Sequence, residues 1–267
     1  MNISYHKIEA DEANRSQYWQ VAFGLQETDG LQPSSYMREL ARQHIAQEID
    51  FPQIYSEVEK YYQNQSDKLP PRSKEADLVS ARIVEYLEEA SLGFKPTPYS
   101  LKNIHAFLFK GIMPVGMKAG EYRTYNISKQ EPVLKGQSVI YAPWLQLAET
   151  LQWDFEQELN KDYATMTAIE KLMAVEGFIS GLWQIHPFPE GNTRTTAVFT
   201  VLYLRSKGFW VDNRPFADNA QYFRDALVLA NTSDTSLKTR KPLDEFFFQL
   251  VSSEKQAKIL PSLREQD

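Results

Sequence analysis

The residues best suited to chemistry lie together at His186-Pro187-Phe188-Pro189-Glu190-Gly191-Asn192-Thr193-Arg194. This short stretch holds a base, a carboxylate, a glycine, an amide and a guanidinium. Pro187 and Pro189 end the preceding helix and hold the chain extended. Gly191-Asn192 then open the next helix. A helix start presents unpaired N–H groups and a partial positive charge, which attract phosphate. Gly191 lets backbone approach an anion, and Arg194 adds a fork of donors in the first turn. Glu190 suits Mg²⁺ held between phosphates better than phosphate itself. His186 is able to take a hydroxyl proton near neutral pH. Taken singly, each residue also has a plainer reading: a packing histidine, a solvated carboxylate, a turn. The conjunction favours a phosphate cradle with a base beside it.

The elements on either side must position this loop. Thr167–Ile185 reads as a long helix that is apolar on most sides, and Thr195–Leu204 is more apolar still, ending at Lys207-Gly208. Further helices are predicted over Ser16–Leu25, Tyr36–Glu48 (started by Pro33-Ser34-Ser35), Lys74–Ala90, Tyr99–Lys110, Pro143–Leu159, Asn219–Asn231 and Pro242–Ser253. Gly120–Pro143 differs: Glu121–Ile127 and Ser138–Tyr141, with Lys135-Gly136 between them, predict a β-hairpin or an extended flap. The fold class is mainly α, a helical bundle with a small hairpin. The expected division is an N-terminal helical segment over 1–65, a Pro-containing linker over 66–73, a core over 74–253 and a polar tail over 254–267.

Composition narrows the function classes. The 267 residues carry a formal net charge of −6 and show no basic stripe, so direct nucleic-acid binding is not expected. With no cysteine there is no disulfide, thiolate nucleophile or Cys-ligated zinc, and His6, His44, His105 and His186 lack close ligand spacing. Neither a secretory leader nor a long apolar run is present, so the expectation is a cytoplasmic protein that does not engage a membrane. P-loop and dinucleotide-binding glycine patterns are absent. His105, on an apolar helix face, reads as a satisfied core histidine, and Arg123 as an anchor of the flap. Tyr222 and Phe223 follow Asn219 at helical spacing and suit either an adenine pocket or the core.

His186–Arg194 resembles the Fic motif, His-Pro-Phe-x-Asp/Glu-Gly-Asn-x-Arg, at every fixed position, and Gly120-Glu121-Tyr122-Arg123 ahead of the flap fits the same context. The resemblance runs from about Lys74 to Ser253. It implies a protein adenylyltransferase that moves AMP from ATP to a Ser, Thr or Tyr hydroxyl of a target protein, with Mg²⁺ as cofactor. By the same resemblance His186 is the base and Phe188 holds the loop in the core. Glu190 binds Mg²⁺, and Gly191, Asn192, Thr193 and Arg194 hold phosphates; Tyr222 is added as a candidate nucleotide contact. Two positions depart from the family: Thr193 replaces the usual glycine, and Ala197 the usual second arginine, which in Fic enzymes helps place the γ-phosphate. Doc, a phosphotransferase, also lacks that arginine, though it has Ala and Lys where this chain has Gly191 and Thr193. The alternatives are therefore Doc-type phosphate transfer and a non-catalytic, nucleotide-binding regulatory protein.

Residues near Gln17 to Tyr62 resemble, more weakly, the small antitoxins that bind Fic toxins. The shared outline is a helix, the acid-Gly-Leu step Asp29-Gly30-Leu31, then Pro33-Ser34 and a second helix. This resemblance implies an N-terminal segment packed over the nucleotide site, with Asp29 as the inhibitory carboxylate. The expected restraint is weak, because Asp is shorter than Glu and Ala197 offers it no charge.

Overall fold

The computed structural model describes residues 12–65, 69–90, 94–252 and 260–264; His6 and parts of the expected linker and tail lie outside them. Among the described residues ten α-helices carry the fold: α1 Glu12–Glu27, α2 Ser35–Ile45, α3 Phe51–Gln65, α4 Ser73–Glu89, α5 Pro98–Phe109, α6 Leu147–Leu159, α7 Ala168–Ile185, α8 Asn192–Ser206, α9 Arg214–Asn231 and α10 Lys241–Val251. None is long and apolar enough to cross a membrane.

Helix starts follow local chemistry. Ser34 caps α2, its hydroxyl accepting from Met37 N–H at 3.0 Å. Thr97 and Ser100 form a reciprocal capping box at α5, and Thr167 and Glu170 another at α7. α9 begins at Arg214, five residues before the expected Asn219, because Pro215 fits the first turn and its missing N–H is not needed there. Asn219 instead marks a kink inside that helix, with φ −139° and ψ 33°.

α8 is buried from Asn192 through Leu204 and packs against α1, α4, α5 and α7. α1 packs against both α4 and α9. A Cβ on Gly24 would lie 2.4 Å from the Ala217 carbonyl, so only glycine allows α1 this close to α9. Tyr18, Trp19, Val21, Ala22 and Leu25 bury their side chains in the core that also holds Phe199, Tyr203 and Phe223. The Asp77 carboxylate of α4 ties the N-terminal helices down: it accepts from Ser34 N–H at 2.8 Å, the Ser34 hydroxyl at 2.6 Å and the Tyr62 hydroxyl at 2.8 Å.

The expected β-hairpin is not formed. No strand occurs among the described residues, and the chain over 121–143 runs as an extended flap around a 3₁₀ turn at Pro132–Leu134. Lys135 and Gly136 make the turn with positive φ. The two arms approach each other, with Glu131 N–H donating to the Gln137 carbonyl at 3.0 Å. Elsewhere their donors go to other partners: Lys129 N–H to the Ser138 hydroxyl, Trp144 N–H to the Asn126 side chain, and Arg123 N–H to the Pro187 carbonyl. Pro132 has no donor to give. A ladder cannot propagate from so few backbone pairs.

Candidate active site

The loop between α7 and α8 is braced from within. His186 ends α7 in the left-handed conformation, with φ 52°. The Asn192 side chain clamps Phe188, accepting from its N–H at 2.9 Å and donating to its carbonyl at 2.7 Å. Phe188 is buried and stacks on the His105 ring at 3.9 Å. His105 Nδ1 accepts from Gly120 N–H at 2.8 Å, which leaves Nε2–H to donate to the Glu190 carbonyl at 3.0 Å. Burial pushes the His105 pKa down to about 4, so the ring stays neutral and keeps this tautomer. His105 is thus a satisfied core histidine that also fixes the motif loop. Gly191 is required twice over: its φ is +73°, and a Cβ there would meet the Phe109 ring at 2.2 Å.

Arg123 joins flap to motif. Its guanidinium donates to the carbonyls of His186 (2.9 Å), Ile185 (3.3 Å), Tyr125 (2.7 Å) and Ala142. Tyr141 of the flap lays its ring against the His186 ring, centroids 4.4 Å apart.

His186 is only 2% exposed. Its Nδ1 lies 3.2 Å from the Trp183 carbonyl, which can only accept, so Nδ1 carries the proton. Nε2 is then a bare lone pair, buried and without a hydrogen-bond partner. Burial holds the pKa of the ring well below its ordinary value; Lys129, Arg224 and Arg123 add to the effect against the Trp183 hydrogen bond. The ring is neutral at physiological pH, the form that accepts a proton.

Arg194 is fully buried. Nε makes an ion pair with Asp29 Oδ2 at 2.7 Å, Nη1 donates to Gln26 Oε1 at 2.9 Å, and Nη2 donates to Glu75 Oε1 at 2.7 Å. The guanidinium also lies over the Phe109 ring at 4.8 Å. Glu75 is held in turn by a two-pronged contact from Arg72, at 2.8 and 2.7 Å. The other Asp29 oxygen faces Arg224 at 3.7 Å. Burial works to raise the Asp29 pKa, but Arg194, Lys129, Arg224 and Arg72 together bring it below the ordinary carboxylate value. Asp29 therefore does have a charge to hold. The expectation that Ala197 leaves it none is corrected: its partners are Arg194 and Arg224, on α8 and α9.

The remaining expected site residues are placed as follows. Glu190 is half-buried, and Arg72 lies within its field. No group of three or more acidic or histidine side chains among the described residues forms a ready metal site. A single carboxylate at a phosphate cradle nonetheless matches the donor set of Mg²⁺, which keeps water and phosphate oxygens as its other ligands. The Thr193 hydroxyl accepts from Trp183 Nε1–H at 3.1 Å, and the Asn192 amide is spent on Phe188. What these two positions offer an anion is backbone N–H in the first turn of α8. Tyr222 on α9 donates its hydroxyl to Glu245 at 3.1 Å and packs parallel to Phe246. Sequence reasoning missed Gln26, Glu75, Glu131 and Arg224, which have no local motif and meet the site only through the packing of α1, α4, α9 and the flap.

Residues 95–204 match the family described as Fic/DOC. No curated protein matches the chain. Among solved structures it resembles the type IV secretion system effector protein BepA, at 20% identity and TM-score 0.54, over 68% of this chain and 61% of that one. It also resembles the N-terminal FIC domain of a VirB-translocated effector from Bartonella sp. 1-1C, at 18% identity and TM-score 0.55, over 72% of this chain and 92% of that one. A FIC domain containing signaling protein from Bacteroides thetaiotaomicron follows, at 14% identity and TM-score 0.51, over 88% of this chain and 92% of that one. At these identities the likeness is one of fold, and the match spans 61% of the solved BepA chain. The Fic/DOC match covers residues 95–204 only, and the mainly helical fold agrees with that of the Fic proteins it resembles.

Proposed function

We infer that the protein transfers AMP from ATP to a hydroxyl side chain of a target protein, and that its N-terminal segment restrains this activity. The observation that carries the reading is His186 Nε2: a buried, unpartnered lone pair on a neutral ring, in the loop that runs into the α8 start and Arg194. The α8 N–H groups and Arg194 hold the phosphates. Nε2 takes the proton of the target hydroxyl as its oxygen bonds to the α-phosphorus. The bond from that phosphorus to the bridging oxygen breaks, and pyrophosphate leaves. The flap, fixed to the motif by Arg123 and carrying Tyr141 against His186, lays the target segment beside the base. Glu190 would hold Mg²⁺, which when bound offsets the negative charge of the phosphates.

The restraint follows from the company of Arg194. Asp29 supplies a carboxylate, Gln26 an amide oxygen and Glu75 a second carboxylate, where a phosphate would need the same donors. Both Gln26 and Asp29 come from the antitoxin-like segment. A nucleotide must compete with them.

The test compares His186→Ala with Glu190→Ala. Removing the base is expected to slow transfer by roughly 10²–10⁴-fold while Mg-ATP binding survives. Glu190→Ala is expected to weaken Mg-ATP binding or its productive pose. Loss of binding in His186→Ala together with full activity in Glu190→Ala would overturn these roles.

A further inference from the structure

Ala197 cannot be the second cation for the phosphates, being a methyl buried in the core side of α8. A second guanidinium is present nonetheless. Asp29 is bridged: Oδ2 pairs with Arg194 Nε at 2.7 Å, and Oδ1 faces Arg224 Nη1 at 3.7 Å. Two guanidiniums on the two oxygens of one carboxylate is the arrangement that also suits a phosphoryl group. The cations sit on α8 and α9, packed parts of the core, whereas the anion is brought by the turn after α1.

Arg224 is built for this place. Nη1 donates to the Thr28 carbonyl at 2.6 Å and Nη2 reaches both Glu131 oxygens at 3.1 Å, which fixes the head of the side chain. Its Nε is buried and has no hydrogen-bond partner. Arg72, the other nearby arginine, gives Nε and Nη2 to Glu75 and so acts on that carboxylate.

We propose that Arg224 supplies the second guanidinium missing at Ala197, holding with Arg194 the phosphoryl group whose place Asp29 takes here. The proposal rests on the reading of the site as a nucleotide site. In it, Asp29 imitates a phosphate between two arginines drawn from different helices. Losing that imitation opens the one side of each guanidinium that Asp29 occupies, while Glu75 and Glu131 keep hold of the rest.

The experiment measures Mg-ATP affinity by calorimetry on full-length proteins in an Asp29→Ala background, where both guanidiniums face the nucleotide. Adding Arg224→Gln is expected to weaken binding about ten- to a hundredfold, as for loss of a charge-assisted hydrogen bond to phosphate. Arg224→Lys, which keeps the charge without the fork, is expected to fall between. Because Arg224→Gln leaves Glu131 buried without its cation, the same comparison is made on Asp29→Ala/Glu131→Gln with and without Arg224→Gln, and melting curves verify folding. Unchanged affinity on removing Arg224 in both backgrounds, with Arg194→Gln still weakening binding, would overturn the role of Arg224 and leave the nucleotide site standing. Absence of Mg-ATP binding in folded Asp29→Ala protein would overturn both.

Discussion

Replacing Asp29 by alanine is expected to make the protein more active and less stable at the same time. Asp29 is a largely buried anion paired with Arg194 at 2.7 Å and facing Arg224 at 3.7 Å. Removing one partner of a buried pair commonly costs about 3–5 kcal/mol when the other is left alone. Here neither arginine is left alone, since Arg194 keeps Glu75 at 2.7 Å and Arg224 keeps Glu131 at 3.1 Å. The expected loss is therefore smaller, about 1–3 kcal/mol, or a fall in Tm of roughly 2–12 °C at the 2–4 °C per kcal/mol of domains near this size. In the other direction, lifting the competition for Arg194 is expected to raise transfer by about 5–150-fold, the usual range of coupling between sites. The sign with pH is set by the depressed pKa of Asp29: its pairing contributes above the unfolded value of roughly 3.9 and is lost only as pH falls through the lower folded value. The wild-type to Asp29→Ala ratio should hence be flat between pH 6 and 8. The assays are incorporation of label from ATP into protein, and melting curves with and without Mg-ATP. A folded Asp29→Ala protein with wild-type transfer rate and wild-type nucleotide affinity would exclude an inhibitory role for Asp29.

Other consequences follow from the same geometry. Gly191→Ala should destabilise by about 2–5 kcal/mol, combining the left-handed backbone with overlap on Phe109; urea unfolding measures it, and Phe109→Leu in the same chain should restore only the part due to crowding. His44 and His105 have their pKa values pushed down to about 4, and His186 lies well below its ordinary value, in each case chiefly by burial. The folded chain keeps these rings neutral while the unfolded chain protonates them below roughly pH 6.5, so their contribution to stability falls as pH falls, by up to about 1.4 kcal/mol per ring per pH unit. Glu176 works in the opposite sense, because burial pushes its pKa up to about 7 and the folded chain binds that proton first. The urea midpoints at pH 6 and pH 5 report the sum, and His105→Gln, if folded, should remove about 1 kcal/mol of the histidine part.

The legible parts of the molecule are those whose causes are local. Thr167 and Glu170 announce the start of α7, and the apolar circumference of α7 and α8 announces their burial. The motif could be read as a unit because its residues are contiguous. The hairpin reading failed on chemistry that alternation does not weigh: Pro132 lacks a donor, and Ser138, Asn126 and Pro187 take bonds that a second strand would have taken. Asn219 looked like a helix start and is a kink, with Pro215 setting the start upstream. Least legible was the setting of Arg194. Gln26 and Glu75 are 168 and 119 residues from it in the chain, so periodicity shows that their helices have buried faces without showing which faces meet. The reading of Asp29 weighed only the missing charge at Ala197, because nothing local shows that Arg194 and Arg224 face it from α8 and α9.

AMP transfer is tested most directly with ATP labelled at either the α- or the γ-phosphate, incubated with Mg²⁺, cell lysate and the Asp29→Ala protein, with Asp29→Ala/His186→Ala alongside. The expected result is label on protein from the α position only, with pyrophosphate released, and its near loss without His186. Label transferred only from the γ position would contradict AMP transfer in favour of phosphate transfer. Absence of label from either position, with Mg-ATP bound, would contradict catalysis altogether.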